Sequence, residues 1–153
     1  MHTYCNKKKR GFTLLEIMMV VVIIGLLIAM AVPGFRKMKE NSRASAIAND
    51  FRVFSDALHE YNILEGGWPH PNDNAGEFPA GMDGFLSHAW TNESPVGGNY
   101  FFEHPPGEDA RLVIRSSNIS ARVIELVDRK LDDGDISSGQ LRGNDSQIAL
   151  TLL

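Results

Sequence analysis

The chain has 153 residues, of which 43% are hydrophobic, and this fits one globular domain with an additional segment. Its formal charge is −4, but four cations, Lys7, Lys8, Lys9 and Arg10, form one block, so the remainder from Phe12 onward carries a formal charge of −8. An acidic body argues against a nucleic-acid partner, because phosphate binding depends on clustered Lys and Arg. The single cysteine, Cys5, precedes the block, so the body cannot contain an intrachain disulfide.

An uncharged run of 19 residues, Ile17 to Phe35, follows the basic block. Its length approaches the roughly 20 apolar residues that a helix needs to cross a bilayer. Positive charge immediately before such a run places the N-terminus in the cytoplasm. We therefore expect a single membrane span, with the rest of the chain on the far side of the membrane.

Beyond Pro33 the composition changes to that of an amphipathic helix. Apolar residues recur at spacings of 4, 3, 4 and 3, which places on one face Ile47, Phe51, Phe54, Leu58 and Tyr61. The sequence Gly66-Gly67-Trp68-Pro69 is a helix stop, because glycine favours the cap and proline prevents continuation. The pattern predicts one long helix from Phe12 to Glu65.

The remainder predicts a small mixed domain. Residues 66–109 are interpreted as a long ordered loop with short pieces of structure, anchored by Trp68, Phe78, Phe85, Trp90 and Tyr100. Strands are predicted at residues 111–115 and 147–153. Between them a short helix that stops at Gly134 would present one face made of Val123, Ile124, Val127 and Leu131. The expected fold class is α+β: a long N-terminal α-helix, with a membrane-spanning and an amphipathic half, packed on a small antiparallel β-sheet head.

Three hypotheses compete for the N-terminus: a secretory signal peptide cleaved near Ala29-Met30-Ala31, a plain membrane anchor, and cleavage before the apolar run. Glu16 favours the third. A carboxylate within an apolar membrane helix costs about 2.5–3.5 kcal/mol on insertion scales, and neither of the first two arrangements gains from it. Cleavage after Gly11 would instead create an amine on Phe12, with which Glu16 of a neighbouring chain could pair.

Residues 7–17, Lys-Lys-Lys-Arg-Gly-Phe-Thr-Leu-Leu-Glu-Ile, resemble the prepilin peptidase recognition motif of type IV pilins and type II secretion pseudopilins. The resemblance implies cleavage between Gly11 and Phe12 by a membrane aspartyl peptidase, and N-methylation of Phe12. It gives Glu16 the task of registering subunits. Pro33, with Gly25, lies where family members commonly carry residues that loosen the helix.

The resemblance also implies an organisation and a function. Residues 1–11 would be a leader that is removed, 12–35 a transmembrane and assembly helix, 36–66 the amphipathic half of that helix, and 67–153 the globular head. The implied function is structural: a subunit of a type IV pilus-like filament, held in the inner membrane by one span with its head in the periplasm. Its partners would be the prepilin peptidase/methyltransferase and other pilin or pseudopilin subunits.

Two alternatives remain open at this point. Many type IV pilins close their C-terminal region with a disulfide, which this body cannot form, so a type II secretion pseudopilin is favoured over a true pilin serving adhesion, motility or DNA uptake. The second alternative, of another class, is a single-span anchored binding or enzymatic domain whose N-terminus only mimics the motif. No catalytic motif is found in the sequence, and we predict that the chain is not an enzyme.

One metal site is a candidate. Asp132, Asp133 and Asp135 cluster in a short segment, and three carboxylates with backbone carbonyls can bind Ca²⁺. Major pseudopilins are known for calcium in their C-terminal loop. The alternative is a helix end followed by an Asp-Gly turn with solvated acids. The scattered histidines, His59, His70, His88 and His104, have no ligand spacing and are not expected to bind a metal.

Overall fold

The computed structural model describes residues 11–72 and 74–153; the basic block and Cys5 lie outside these residues. Helix α1 runs from Leu14 to Glu65 and helix α2 from Ala121 to Leu131. The strands are β1 (Asn99–Glu103), β2 (Ala110–Arg115), β3 (Leu141–Gly143) and β4 (Gln147–Leu152), and a short 3₁₀ helix spans His88–Thr91. The chain divides into a first unit that ends at Met38 and a globular unit, residues 39–153.

In the first unit, α1 makes no buried contact. Every described side chain up to Met38 is exposed, although most are large and apolar. The helix continues through Pro33, where the missing N–H removes one hydrogen bond of the ladder. Over this part α1 is long and apolar enough to cross a membrane.

In the globular unit, α1 buries one stripe. Ala44, Ile47, Phe51, Phe54 and Leu58 are all fully buried, and the helix ends at Glu65 as the Gly66-Gly67 signal predicts. The Phe54 ring meets those of Trp90 and Tyr100 edge-on, with centroids 5.2 Å and 4.9 Å away. The amphipathic half of α1 is thus a core helix of this unit, which confirms the predicted face.

The sheet is antiparallel throughout, with strand order β1-β2-β4-β3. The predicted strands at 111–115 and 147–153 are confirmed as β2 and β4, and the short helix as α2, which ends at Leu131. Alternate residues of the paired strands are buried in the same core as the α1 stripe, among them Leu112, Ile114 and Ile148. The predicted α+β class is confirmed.

Residues 66–109 are a loop with short pieces of structure, as interpreted, but the sequence pattern did not locate the strand β1 among them. The sequence hides it because Tyr100, Phe101 and Phe102 are consecutive and all buried, so no alternation appears. Phe101 lies on the outer face of the sheet and is covered by the Arg115 guanidinium, 4.6 Å above its ring. At the outer edge of β1, the Asn72 side chain accepts a hydrogen bond from the Phe102 N–H at 2.8 Å, which replaces a neighbouring strand.

The loop before β1 is fixed by its aromatic residues, as predicted. Trp90 is fully buried and its indole N–H donates to the carbonyl of Glu77 at 2.8 Å. Of the other predicted anchors, Tyr100 is fully buried in β1, and three pack partly buried against the core, namely Trp68, Phe78 and Phe85. Ordered contacts of this kind explain how a long segment rich in Gly and Pro holds one conformation.

Candidate functional site

The predicted processing junction lies just before α1. Gly11, Phe12 and Thr13 have no regular secondary structure and are exposed, and the helix begins at Leu14. The backbone N–H of Glu16 donates to the Thr13 hydroxyl at 3.2 Å. The Gly11–Phe12 peptide bond is therefore exposed and outside the helix, as a peptidase substrate requires.

Glu16 lies in the first turn of α1, and the uncharged run from Ile17 to Phe35 follows it on the C-terminal side. Its side chain is exposed, and among the residues that the structure describes its carboxylate has neither a hydrogen-bond nor an ion-pair partner. The backbone of Glu16 takes part in the helix start, while the charged group is left available. A carboxylate that enters an apolar environment needs a cation, and the described part of this chain places none within ion-pair distance of Glu16.

The surface of the first unit is apolar on every side of the helix. Residues such as Leu15, Val22 and Leu27 expose between 61% and 71% of their area. Full burial of one such side chain is worth about 1.5–3 kcal/mol, so exposure of the whole set to water would be strongly unfavourable. Cβ atoms added at Gly25 and Gly34 would meet nothing within 4 Å, so none of the residues that the structure describes packs there. Lipid or other helices must cover this surface.

The second candidate site is the acidic loop, residues 132–138, which follows α2. Asp132 accepts hydrogen bonds from the backbone N–H groups of Gln140 and, at 2.9 Å, Leu141, so its carboxylate closes the loop. Gly139 has φ +72°, and a side chain there would collide with the Asp132 carboxylate. The close approach therefore requires glycine.

Local donors stabilise the other two predicted acids as anions. Asp133 accepts from the Ser138 hydroxyl at 2.6 Å and from the Asp135 N–H at 2.9 Å, and these bonds lower the pKa of Asp133. Asp135 accepts from the hydroxyl and the N–H of Ser137, which lower its pKa in the same way. Both carboxylates are thus charged and exposed at neutral pH.

Asp128, in the last turns of α2, is the member of this site that sequence reasoning missed. It is fully buried, and neither carboxylate oxygen has a partner among the described residues. Burial raises the pKa of Asp128, and the carboxylates of Asp133, Asp132 and Asp135 raise it further. A signal was available: Asp128 precedes Asp132 by one helical turn and adjoins the apolar face that includes Val127.

The structure therefore brings together Asp128, Asp132 and Asp133, whose ligand oxygens lie within 4.8 Å of one another. Asp135 lies in the same loop but is not part of this group, and Ser137 engages its carboxylate. Three carboxylates, one of them buried without a partner, fit a hard divalent cation such as Ca²⁺. Among the histidines, His59 is used in the fold: its ring nitrogens lie 2.8 Å from the Ser55 carbonyl and 3.1 Å from that of Leu153.

Comparisons with a family model and with a solved structure agree with these features. Residues 6–32 match the family model of the prokaryotic N-terminal methylation motif. The fold is similar to that of the major type IV pilin PilA1 from Clostridium difficile, with a TM-score of 0.57 over 74% of this chain and 96% of that one, at 11% identity. The chain therefore carries an N-terminal methylation motif, followed by a fold that is similar to that of a type IV pilin.

Curated relatives come from two branches. The type IV major pilin protein PilE1 of Neisseria gonorrhoeae is 34% identical over 71 residues, which are 46% of this chain and 43% of that protein. The type II secretion system core protein G of Escherichia coli K12 is 40% identical over 65 residues, 42% of this chain and 45% of that protein. These two alignments span less than half of each relative. Core protein G of Klebsiella michiganensis is 28% identical over 125 residues, 73% of this chain and 84% of that protein.

Proposed function

We propose that this chain is a structural subunit of a type IV pilus-like filament, and specifically a pseudopilin of a type II secretion system. The observation that carries the proposal is the first unit: an apolar helix exposed on every side, with a methylation motif at its start and one carboxylate, Glu16, that has no partner among the described residues. A soluble enzyme or binding domain has no use for such a surface, and a plain membrane anchor gains nothing from the carboxylate. Subunits that bury it against one another head-to-tail form an open fibre.

Processing prepares the helix for assembly. Prepilin peptidase would add water across the Gly11–Phe12 peptide bond, leaving a carboxyl group on Gly11 and an amine on Phe12. An electrophilic methyl donor would then methylate that amine, which loses a proton. Glu16 of one subunit would pair with the cationic Phe12 amine of its neighbour. In an apolar interior this pair is favourable only when both charges are present, so it would set the register between subunits.

The same proposal gives each segment of the chain a location and a role. Residues 1–11 are the leader that processing removes. Residues 12–35 hold the subunit in the inner membrane and later form the filament interior, and residues 36–66 connect them to the head, residues 67–153, in the periplasm. The basic block before the apolar run supports this orientation. Pro33 supplies a point where the helix ladder lacks one hydrogen bond, which eases bending during assembly.

Two observations support the pseudopilin branch over a true pilin. Residues 12–153 contain no cysteine, so this body has no disulfide. The alignment with core protein G of Klebsiella michiganensis extends over 73% of the chain, well beyond the N-terminal segment. Deletion of the gene in the native organism separates the branches: a pseudopilin is required for protein export, whereas a true pilin is required for surface pili.

We further propose that the acidic site binds Ca²⁺ through Asp128, Asp132 and Asp133. The buried, unpartnered oxygens of Asp128 support a cation, because an isolated buried charge is otherwise costly. The ion would stabilise the end of α2 and the acidic loop in a body without a disulfide. Asp135, which the sequence also suggested, would shape the loop through Ser137 and would not itself bind the ion.

The test of the main proposal is intact mass and N-terminal sequencing of the protein purified from native membranes. The expected product begins at N-methylated Phe12. A chain that begins at Met1, or after Ala31, would contradict the proposal and leave an anchored or secreted domain in its place.

A further inference from the structure

Thr13, the second residue after the proposed cleavage site between Gly11 and Phe12, marks the start of α1. The carbonyl of Thr13 accepts the N–H of Ile17 at 3.3 Å, which is the first bond of the helix ladder. The hydroxyl of Thr13 accepts the N–H of Glu16 at 3.2 Å. Thr13 is therefore the N-cap of α1, and its side chain satisfies one of the donors that a helix start leaves free.

The surrounding sequence is that of a complete helix-start signal. Thr13 and Glu16 have the spacing of a capping box, and Phe12 and Ile17 occupy the two positions of a hydrophobic staple. Of the two bonds of a capping box, the described residues form the one to the Thr13 hydroxyl. The Glu16 carboxylate is thus left over for a partner, while the Glu16 backbone serves the cap.

The cap also determines whether the Gly11–Phe12 bond lies before the helix or within it. To extend α1 toward the N-terminus, the carbonyl of Phe12 would have to accept the N–H of Glu16, and the carbonyl of Gly11 that of Leu15. The first of these donors is already shared between the Thr13 hydroxyl, at 3.2 Å, and the Thr13 carbonyl, at 3.1 Å. Loss of the hydroxyl would leave this donor with the Thr13 carbonyl alone and remove the side-chain part of the cap, so a start of the helix at Thr13 would lose its advantage over a start nearer the N-terminus.

We propose that Thr13 is a positioning residue for processing: its hydroxyl fixes the start of α1 beyond the Gly11–Phe12 bond and keeps that bond out of the helix, where the peptidase can engage it. This inference rests on the proposed cleavage after Gly11. It goes further by giving Thr13 a task that is separate from the pairing of Glu16. The reaction itself is unchanged hydrolysis, with water as co-reactant.

The test compares full-length chains in vesicles with prepilin peptidase, and measures the initial rate at which leader 1–11 is released. Thr13→Val removes the hydroxyl at nearly constant shape, and we expect the rate to fall about 2- to 30-fold, the range that corresponds to loss of an N-cap. Thr13→Ser retains the hydroxyl and should restore the rate to within about twofold of the wild type. Leu14→Val places a branched side chain next to the cap without touching it, and serves as the matched control.

A second measurement separates positioning from a general effect on folding. Backbone chemical shifts should give helical values at Phe12 and Gly11 in Thr13→Val, and non-helical values in the wild type and in Thr13→Ser. Thermal unfolding of the globular unit should be the same in all of them. Cleavage of Thr13→Val at the wild-type rate or faster overturns the inference, and so does a slow Thr13→Ser. If the wild type itself is not cleaved after Gly11, the proposed function fails as well, which is a distinct result.

Discussion

The two parts of helix α1 have the same backbone conformation and opposite surroundings. Up to Met38, every described side chain is exposed, whereas between Ala44 and Leu58 a continuous stripe is fully buried in the globular unit. From Ile17 to Phe35 the first part is apolar on all sides, and the second carries Asp56 and Glu60 away from its buried stripe. Helical conformation alone therefore says nothing about a segment's surroundings. The distribution of polar residues around the helix indicates whether one face or every side of the segment has an apolar environment.

The largest expected effect concerns the one carboxylate of the apolar part. Glu16→Val should leave cleavage after Gly11 intact and reduce filament assembly by about 100-fold or more, because removal of one partner leaves the other charge buried and unpaired. Leader release measured by mass, and filaments counted by electron microscopy, separate the two steps. The matched control is Glu60→Val, the same change on the exposed face of the second part. Normal filaments from Glu16→Val would refute the registering role.

A core substitution tests the difference in burial directly. Phe54 is fully buried against Trp90 and Tyr100, so Phe54→Ala should lower the free energy of unfolding of the globular unit by about 3–5 kcal/mol. Ile24→Ala, in the apolar part, should change it by less than about 0.5 kcal/mol. Urea denaturation of the full chain in detergent, followed by Trp fluorescence, measures both. Equal losses from the two variants would mean that the apolar part contributes to the globular core.

The sequence predicted those features that depend on local periodicity. The buried stripe of α1, its end at Glu65 and the strands β2 and β4 follow from spacing and stop signals. Strand β1 was missed because Tyr100, Phe101 and Phe102 are buried on both faces, and its outer edge is completed by a distant Asn72. Strand β3 has only three residues and depends on pairing with β4.

The acidic site shows the same limit of local reasoning. Asp132 and Asp133 were found from their proximity in sequence, as was Asp135. Asp128 lies on the buried side of α2, and its importance comes from burial without a partner, which only the packed structure gives. The tertiary contacts thus distinguish Asp128 from the other acids, which the sequence alone could not do.

The metal proposal extends the comparison, because only the globular unit should respond to calcium. Arg52 of α1 donates to the carbonyl of Lys130 at 2.6 Å, so the second part of the helix contacts the end of α2, which leads into the acidic loop. At 100 times the dissociation constant, Ca²⁺ should stabilise the unit by about 2.7 kcal/mol. Thermal unfolding with and without Ca²⁺ measures this gain.

Variants locate the ion. Asp128→Asn should abolish the gain from Ca²⁺, and without the ion it should unfold at a higher temperature than the wild type, because a buried charge has been removed. Asp109→Asn, an exposed acid outside the site, should leave the gain unchanged. An undiminished calcium response in Asp128→Asn would exclude Asp128 as a ligand.

The smallest expected effect concerns a polar contact between the second part of α1 and the sheet. The Tyr100 hydroxyl donates to Asp50 at 2.6 Å, and burial, together with this carboxylate, raises the pKa of Tyr100. Tyr100→Phe should cost about 1 kcal/mol of unfolding free energy, since the ring stays packed and only the hydrogen bond is lost. Tyr61→Phe is the control, because its hydroxyl has no hydrogen-bond partner among the described residues. If both variants cost the same, the Asp50 contact adds nothing beyond ring burial, and apolar packing alone distinguishes the second part of α1 from the first.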